Sequence, residues 1–285
     1  MPSGPGRLRV QTALESLPIR RRMLAAALAD TSYLQLPPDR LPLALAELQR
    51  VLEVGAPVEL VVPSGDTQAV AGWADHVPGC DGAVWSLDHL MAVVAGAGFE
   101  GASVHPGDSQ HVRLVAQVSR TLPDTVGSGM RLLTCGLNPS LYAADVGVAF
   151  ARPGNRFWPA MLAAGLAGID RDPDHTLRHY RVGMTDLVKR ASVGASGISA
   201  AEYRQGLSRV EQLCHWLRPR AVCFVGLAGW RAAVDTNAVA GPQPTRLADA
   251  PVYLMPSTSG RNAHAGLEAL TTHLRAAATL ADLNL

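Results

Sequence analysis

Between residues 131 and 280 the chain alternates short apolar runs with helix-length segments, and this alternation limits the folds open to it. Residues 131–135, 221–227 and 252–254 read as strands, and residues 180–187 hold a further short strand or turn. Residues 157–166, 201–217, 226–234 and 267–280 carry helical spacing. Four short strands separated by helices predict a mostly parallel four-stranded sheet covered on both faces, a three-layer α/β/α domain. In such sheets ligands bind beyond the carboxyl ends of the strands. Two polar turns fall there: Gly136-Leu137-Asn138-Pro139-Ser140 after the first run, and Met255-Pro256-Ser257-Thr258-Ser259-Gly260-Arg261-Asn262 after the last. One offers a carboxamide and the other an arginine among small residues, a pairing suited to chemistry on a nucleobase.

The first half has a different pattern. Residues 11–30 show helical spacing with a basic cluster at Arg20, Arg21 and Arg22. A second amphipathic helix is expected over 41–54, stopped at Gly55. Residues 57–63 read as an apolar strand, and 86–97 as a third helix with Ser86 as its cap and Asp88 in its first turn. Residues 101–105 and 111–118 read as a strand pair around a polar turn. This makes a smaller α/β domain, Rossmann-like but truncated. Residues 121–130 are polar and turn-rich, so the expected division is 1–125 and 126–285.

Hydrophobic residues make up 48% and charged ones 17%, a balance that favours a folded core over disorder. Residues 1–125 hold nine arginines against thirteen carboxylates; residues 126–285 hold sixteen basic side chains against eleven. The positive excess therefore lies in the half with the two polar turns, as suits a polyanion partner. Cys80, Cys135, Cys214 and Cys223 form no CxxC pair and have no histidine at ligand spacing, so no metal and no iron–sulfur cluster are expected. They read as reduced thiols packed as small hydrophobes. The first ten residues lack an apolar signal core, and no run approaches membrane-spanning length. The expectation is a soluble, cytoplasmic, nucleoid-associated monomer with no membrane partner. Lys189 is the sole lysine.

The strings CGLNPS, FARPGNRFW, VGMTDLVKR and MPSTSGRNA occur in order over residues 131 to about 280. In content and spacing they resemble the mismatch-specific uracil/thymine DNA glycosylases of the uracil-DNA glycosylase superfamily. The resemblance implies an α/β/α domain that flips a nucleotide from double-stranded DNA and hydrolyses its N-glycosidic bond without metal or cofactor. It implies that Asn138 positions the attacking water; a carboxamide is too weak a base to deprotonate it, but its oxygen can orient it. Backbone N–H groups around Gly136, Leu137 and Asn138 would stabilise the departing base anion.

Asp186 stands where the family often has an amide. A desolvated carboxylate there can take a proton from water or accept hydrogen bonds from a base, and Asp186 is equally readable as the N-cap of a following helix. Phe150 matches the family's stacking platform for the flipped base. Phe157 and Trp158 are expected in the core, while Asn155 and Arg156 tie loops together or reach base and phosphate. Arg261 matches a gap-filling position in the minor groove. Ser140, Ser257, Ser259, Gly260 and Asn262 are assigned to DNA contact, with His264 a further phosphate candidate. With Lys189 the sole side-chain amine available for an imine, a water-using, monofunctional enzyme is the simpler expectation.

LQLPPDRLPLALAELQRVLEVGAPVELVVP and WSLDHLMAVVAGAGFEGASVHP resemble the C-terminal half of a class I methyltransferase, diffusely, over residues 8–120. The strand and glycine-rich turn that would hold a cofactor are missing, so a cofactor-free remnant is expected. Three alternatives remain open: a DNA-binding module without catalysis, an S-adenosylmethionine-dependent methyltransferase, and a protein-interaction platform in the first half.

Overall fold

The structure, a computed structural model, describes residues 16–29, 36, 40–63, 87–107, 111–262 and 265–284. The helix expected over 11–30 is not found across 16–29. Pro18 removes a backbone donor and Arg22 is left-handed (φ 55°), and the segment instead forms strand β1 (Ala27–Ala29). Helix α1 (Leu41–Val51) buries Leu41, Ala44, Leu45, Leu48 and Val51 on one face. It ends at an extended Leu52, before the expected stop, and Gly55 (φ 83°) serves the turn beyond. Strand β2 (Pro57–Pro63), helix α2 (Leu87–Gly96) and strands β3 (Phe99–Pro106) and β4 (His111–Val118) follow. The sheet order is β1-β2-β4-β3, with β1 parallel to β2 and the other pairs antiparallel. Ser86, Cys80 and residues 11–15 lie outside the described residues.

The second sheet holds the four expected parallel strands, β5 (Leu132–Gly136), β6 (Val182–Asp186), β7 (Val222–Val225) and β9 (Ala250–Met255). A fifth, β8 (Gly241–Leu247), pairs antiparallel to β9 at the edge, giving the order β6-β5-β7-β9-β8. Its prolines, Pro242 and Pro244, are tolerated because an edge strand leaves half its donors unpaired anyway. All residues of β5, β6, β7 and β9 are buried, because helices cover both faces. Alternate side chains divide between the layers. Leu132, Cys223 and Tyr253 pack toward α4 (Phe157–Ala164) and α8 (Leu267–Asp282), while Leu133, Val222 and Val252 pack toward α6 (Ala200–Leu217) and α7 (Ala228–Ala233). Two further helices, α3 (Leu141–Val146) and α5 (Pro173–Tyr180), start at side-chain caps supplied by Ser140 and Asp172.

The apolar layer under α6 continues into the core of the first sheet. Residues 121–130 are no exposed tether: Thr121, Leu122, Asp124, Val126 and Met130 are all buried, and Thr125 exchanges two backbone hydrogen bonds with Met184 of β6. Cys135, Cys214 and Cys223 are buried free thiols. Burial pushes Cys214 and Cys223 up to about 12, so neither is poised as a nucleophile.

Helix α6 lies hard against the chain just beyond β6. A Cβ added at Gly206 would stand 1.9 Å from the Leu187 carbonyl oxygen, a backbone atom that cannot swing aside. Gly206→Ala should therefore lower the urea unfolding midpoint, at a cost of about 1–3 kcal/mol for an overpacked contact. An unchanged midpoint would mean α6 is free to ride outward.

Candidate active site

Parallel register brings the strand ends level. Gly136 pairs with Asp186, Cys135 with Phe224, and Val225 with Met255. Beyond these ends lies a cleft of about 410 Å³, within the size range of small-ligand sites. The turn after β5 contributes Leu137, Asn138 and Ser140; the end of β6 contributes Asp186; the turn after β9 contributes Ser257, Ser259, Arg261 and Asn262. Phe150 and Asn155 complete the wall. The two polar turns thus face one cavity. Neither Gly136 nor Gly260 lines it, but both are packed closely: a Cβ on Gly136 would collide with Asp186 Oδ1 at 2.4 Å, and one on Gly260 would meet the Gly154 carbonyl at 2.7 Å. His264 lies outside the described residues.

The Asn138 amide is held in one orientation. Its Nδ2 donates to the Arg190 carbonyl (3.0 Å), Ser192 Oγ (2.7 Å) and the Pro139 carbonyl (3.2 Å). A carbonyl can only accept, so the amide cannot be flipped. Both amide hydrogens are committed, and Oδ1 is left to accept from whatever enters the cleft.

Asp186 is buried in the protein but borders the cleft. Its backbone carbonyl accepts from Arg209 Nη2 (2.7 Å), whereas no described donor reaches its carboxylate. Burial pushes the carboxyl up to about 6; Asp124 adds to the shift, and Lys189 and Arg209 oppose it. No helix begins at Asp186: the next is a short 3-10 turn, Ala195–Gly197, preceded by Gly194. Helix α6 starts at Ser199, whose side chain and Glu202 make a reciprocal capping box, so Asp186 is no N-cap.

Behind Asp186 lies a buried charge cluster. Asp124 accepts from Arg209 Nη1 (2.7 Å), Lys189 Nζ (2.8 Å) and Thr185 Oγ1 (2.6 Å). Burial alone would raise the Asp124 carboxyl, but Arg209 and Lys189 outweigh it and hold the group below its ordinary range. Lys189 also donates to the Leu122 carbonyl. Its amine is engaged here and does not line the cleft.

Phe150 stacks on Phe157 with ring centroids 3.8 Å apart and planes at 19°, which leaves its other face toward the cleft. Its backbone is left-handed (φ 55°), a strained conformation for a bulky residue that orients the ring against Gly136. Phe157 and Trp158 are core residues as expected. Asn155 Oδ1 accepts from the Phe157 N–H (3.0 Å). Arg156 ties loops: its guanidinium donates to the carbonyls of Ala265, Ser259 and Asn262. The turn after β9 is further held by Asn262 Nδ2 donating to the Ser257 carbonyl (2.8 Å) and by the Arg261 N–H donating to the Ser259 hydroxyl oxygen (3.3 Å). Gly260 and Arg261 form its exposed tip. The Ser140 hydroxyl accepts from the Ala143 N–H as the cap of α3.

The cleft also contains residues that motif reasoning left unassigned. Arg152 sits exposed on the rim. Ser192, Val193 and Gly194 form the wall opposite Arg261, where a Cβ at Gly194 would lie 3.5 Å from Arg261 Nη1. Ser192 anchors Asn138, and Val193 is 68% exposed at the mouth. Small residues after a strand are a signal for a loop but not for its place over a site. No described helix is long and apolar enough to cross a membrane, and no group of three His, Cys, Asp or Glu among the described residues could hold a metal.

A family model described as "Uracil DNA glycosylase superfamily" matches residues 123–281, more than half the chain. Solved structures similar to the N-terminal part include methyltransferases. One is a SAM-dependent enzyme of Thermotoga maritima described as a possible histamine N-methyltransferase (18% identity, TM-score 0.30, 38% of this chain and 62% of that one). Another is a SAM-dependent methyltransferase of Methanosarcina mazei (12% identity, TM-score 0.31, 38% and 65%), and a third is human N-acetylserotonin methyltransferase (9% identity, TM-score 0.32, 39% and 33%). This chain spans less than two thirds of the length of each.

Proposed function

Because the chain belongs to the uracil DNA glycosylase superfamily, we propose that it is a monofunctional, mismatch-type DNA glycosylase. It everts uracil opposite guanine from double-stranded DNA, with thymine and hypoxanthine as further candidates, and hydrolyses the N-glycosidic bond. The observation that carries the reading is the single cleft shared by a clamped carboxamide, a buried carboxyl and a half-free aromatic face.

The everted base stacks on the free face of Phe150, worth about 1–3 kcal/mol and tolerant of base identity. Asn138 Oδ1 holds the attacking water, and Asp186, ionised at neutral pH yet more basic than an exposed carboxylate, accepts its proton as the bond to C1′ forms. The base leaves as an anion toward the backbone N–H groups around Gly136–Asn138. Arg261 enters the gap left in the duplex. Arg152 and the hydroxyls and amides of Ser257 and Ser259 hold phosphates. The commitment of Lys189 to Asp124 supports water rather than an imine as the nucleophile.

We read residues 1–125 as a cofactor-free domain that braces the site. Arg21 and Arg22 donate to the Ala144 carbonyl (2.8 and 3.3 Å) at the C-terminal end of α3, and Arg120 pairs with Asp145. The opposite end of that helix is Ser140, on the cleft.

The test is base release from G·U and G·T duplexes, single-stranded uracil DNA and a hypoxanthine duplex, analysed with and without alkali. Free uracil and a strand that breaks only after alkali are expected from G·U. No free base from any substrate would refute the reading, and cleavage without alkali would refute the monofunctional mechanism.

A further inference from the structure

Deepening the role given above to Asp186, we propose that the chain's sole lysine, Lys189, is a positioning residue that acts through its charge, holding Asp186 in its ionised form from inside a buried cluster built on Asp124. The cluster has a definite charge count. Asp124 is one buried anion held by two cations, Arg209 at 2.7 Å and Lys189 at 2.8 Å, so it carries one positive charge in excess. Asp186 is the group that neutralises it when ionised.

The geometry ties the cluster to Asp186 at two places. Arg209 Nη2 bonds both Thr185 Oγ1 (2.9 Å) and the Asp186 carbonyl (2.7 Å), fixing the last two residues of β6. Lys189 follows three residues later and bonds the carbonyl of Leu122, itself a wall of the cleft. Lys189 and Arg209 side chains are 14% and 11% exposed and that of Asp124 is 3% exposed, so little water screens the charges. The groups facing Asp186 are thus Lys189 beyond β6, Arg209 on α6, Asp124 before β5 and the Cys135 thiol on β5, with His89 of α2 beside Asp124 and Arg209. Removing Lys189 leaves Asp124 and Arg209 balanced and gives Asp186 no counter-charge, so its proton should be held to higher pH. Replacing Asp124 by asparagine removes the competing anion and should release that proton at lower pH. The opposite signs distinguish this arrangement from a brace that merely holds α6 to β6.

The full-length protein tests it in two ways. Carbon-13 carboxyl NMR follows the Asp186 midpoint in wild type, Lys189→Met, Lys189→Arg and Asp124→Asn. A rise of about one pH unit is expected in Lys189→Met, near-wild-type behaviour in Lys189→Arg, and a fall in Asp124→Asn. An unmoved midpoint in a folded Lys189→Met overturns the proposal. The second measurement needs no variant. With one lysine in the chain, ε-nitrogen-15 lysine labelling yields a single side-chain resonance, and it should show an inflection at the Asp186 midpoint. Its absence overturns the proposal even if the variants fail to fold. Single-turnover pH–rate profiles separate the two levels. A midpoint that moves together with the acid limb of the rate supports both readings. A midpoint that moves while the rate profile stays fixed supports the cluster and removes Asp186 from the chemistry.

Discussion

Asn138→Ala should bind a G·U duplex nearly as well as wild type and release uracil about 100- to 1,000-fold more slowly, the loss seen when one preorganised hydrogen-bonding group is removed from a reacting centre. Alanine deletes the one side-chain oxygen that the bonds to Arg190, Ser192 and Pro139 leave free in the cleft. The turn itself is kept by Pro139 and by the capped start of α3, so the effect falls on rate rather than on folding. Single-turnover kinetics under saturating enzyme is the proper readout, because slow product release would mask it in the steady state. Asn138→Asp sharpens the test. A carboxylate has nothing to donate to the Arg190 carbonyl, so the water-holding geometry should fail although an oxygen is still present. Full activity in Asn138→Ala would transfer the positioning of water to another group.

Asp186→Asn should be slower and more stable at once. In the folded chain burial moves this carboxyl from its ordinary 3.8 to about 6. Between those values the folded protein holds a proton that the unfolded chain has released. The associated stability is full below the unfolded value and is lost as pH rises through the folded one. At pH 7 the protein therefore bears the whole cost of an ionised, poorly solvated carboxylate, at most about 3 kcal/mol at 1.36 kcal/mol per pH unit. Asparagine has no such cost. Its melting temperature should exceed the wild-type value by a few degrees at pH 7, with the difference shrinking toward pH 4. Base release should fall about 100-fold and lose its acid-side inflection. Equal melting temperatures at pH 7 and pH 4 would show that the carboxyl is better solvated than its surroundings indicate.

The parallel sheet was legible because strands buried on both faces must be apolar throughout, and the runs ending at Cys135 and Leu254 have that character. Strand β8 was not, because Gly241-Pro-Gln-Pro carries no apolar signal and pairs only as an edge. The first segment misled by periodicity: its spacing suits a helix, but Pro18 and the left-handed Arg22 break the ladder. At the site, the turns at Asn138 and Arg261 were visible as motifs after strands. The clamp on Asn138 was not, since it comes from Arg190 and Ser192, more than fifty residues away and brought close only by the register of β5 and β6. The setting of Asp186 was equally hidden, because burial and the charges of Asp124 and Arg209 are products of packing.

The most direct test of this site is a crystal structure with a G·U duplex whose deoxyuridine carries a 2′-fluorine, which slows cleavage. The uracil is expected outside the helix with its face on Phe150, its C1′ toward Asn138 Oδ1, and Arg261 in the space it vacated. A duplex bound with the uridine still stacked, or seated on a face away from the ends of β5 and β9, would contradict this placement.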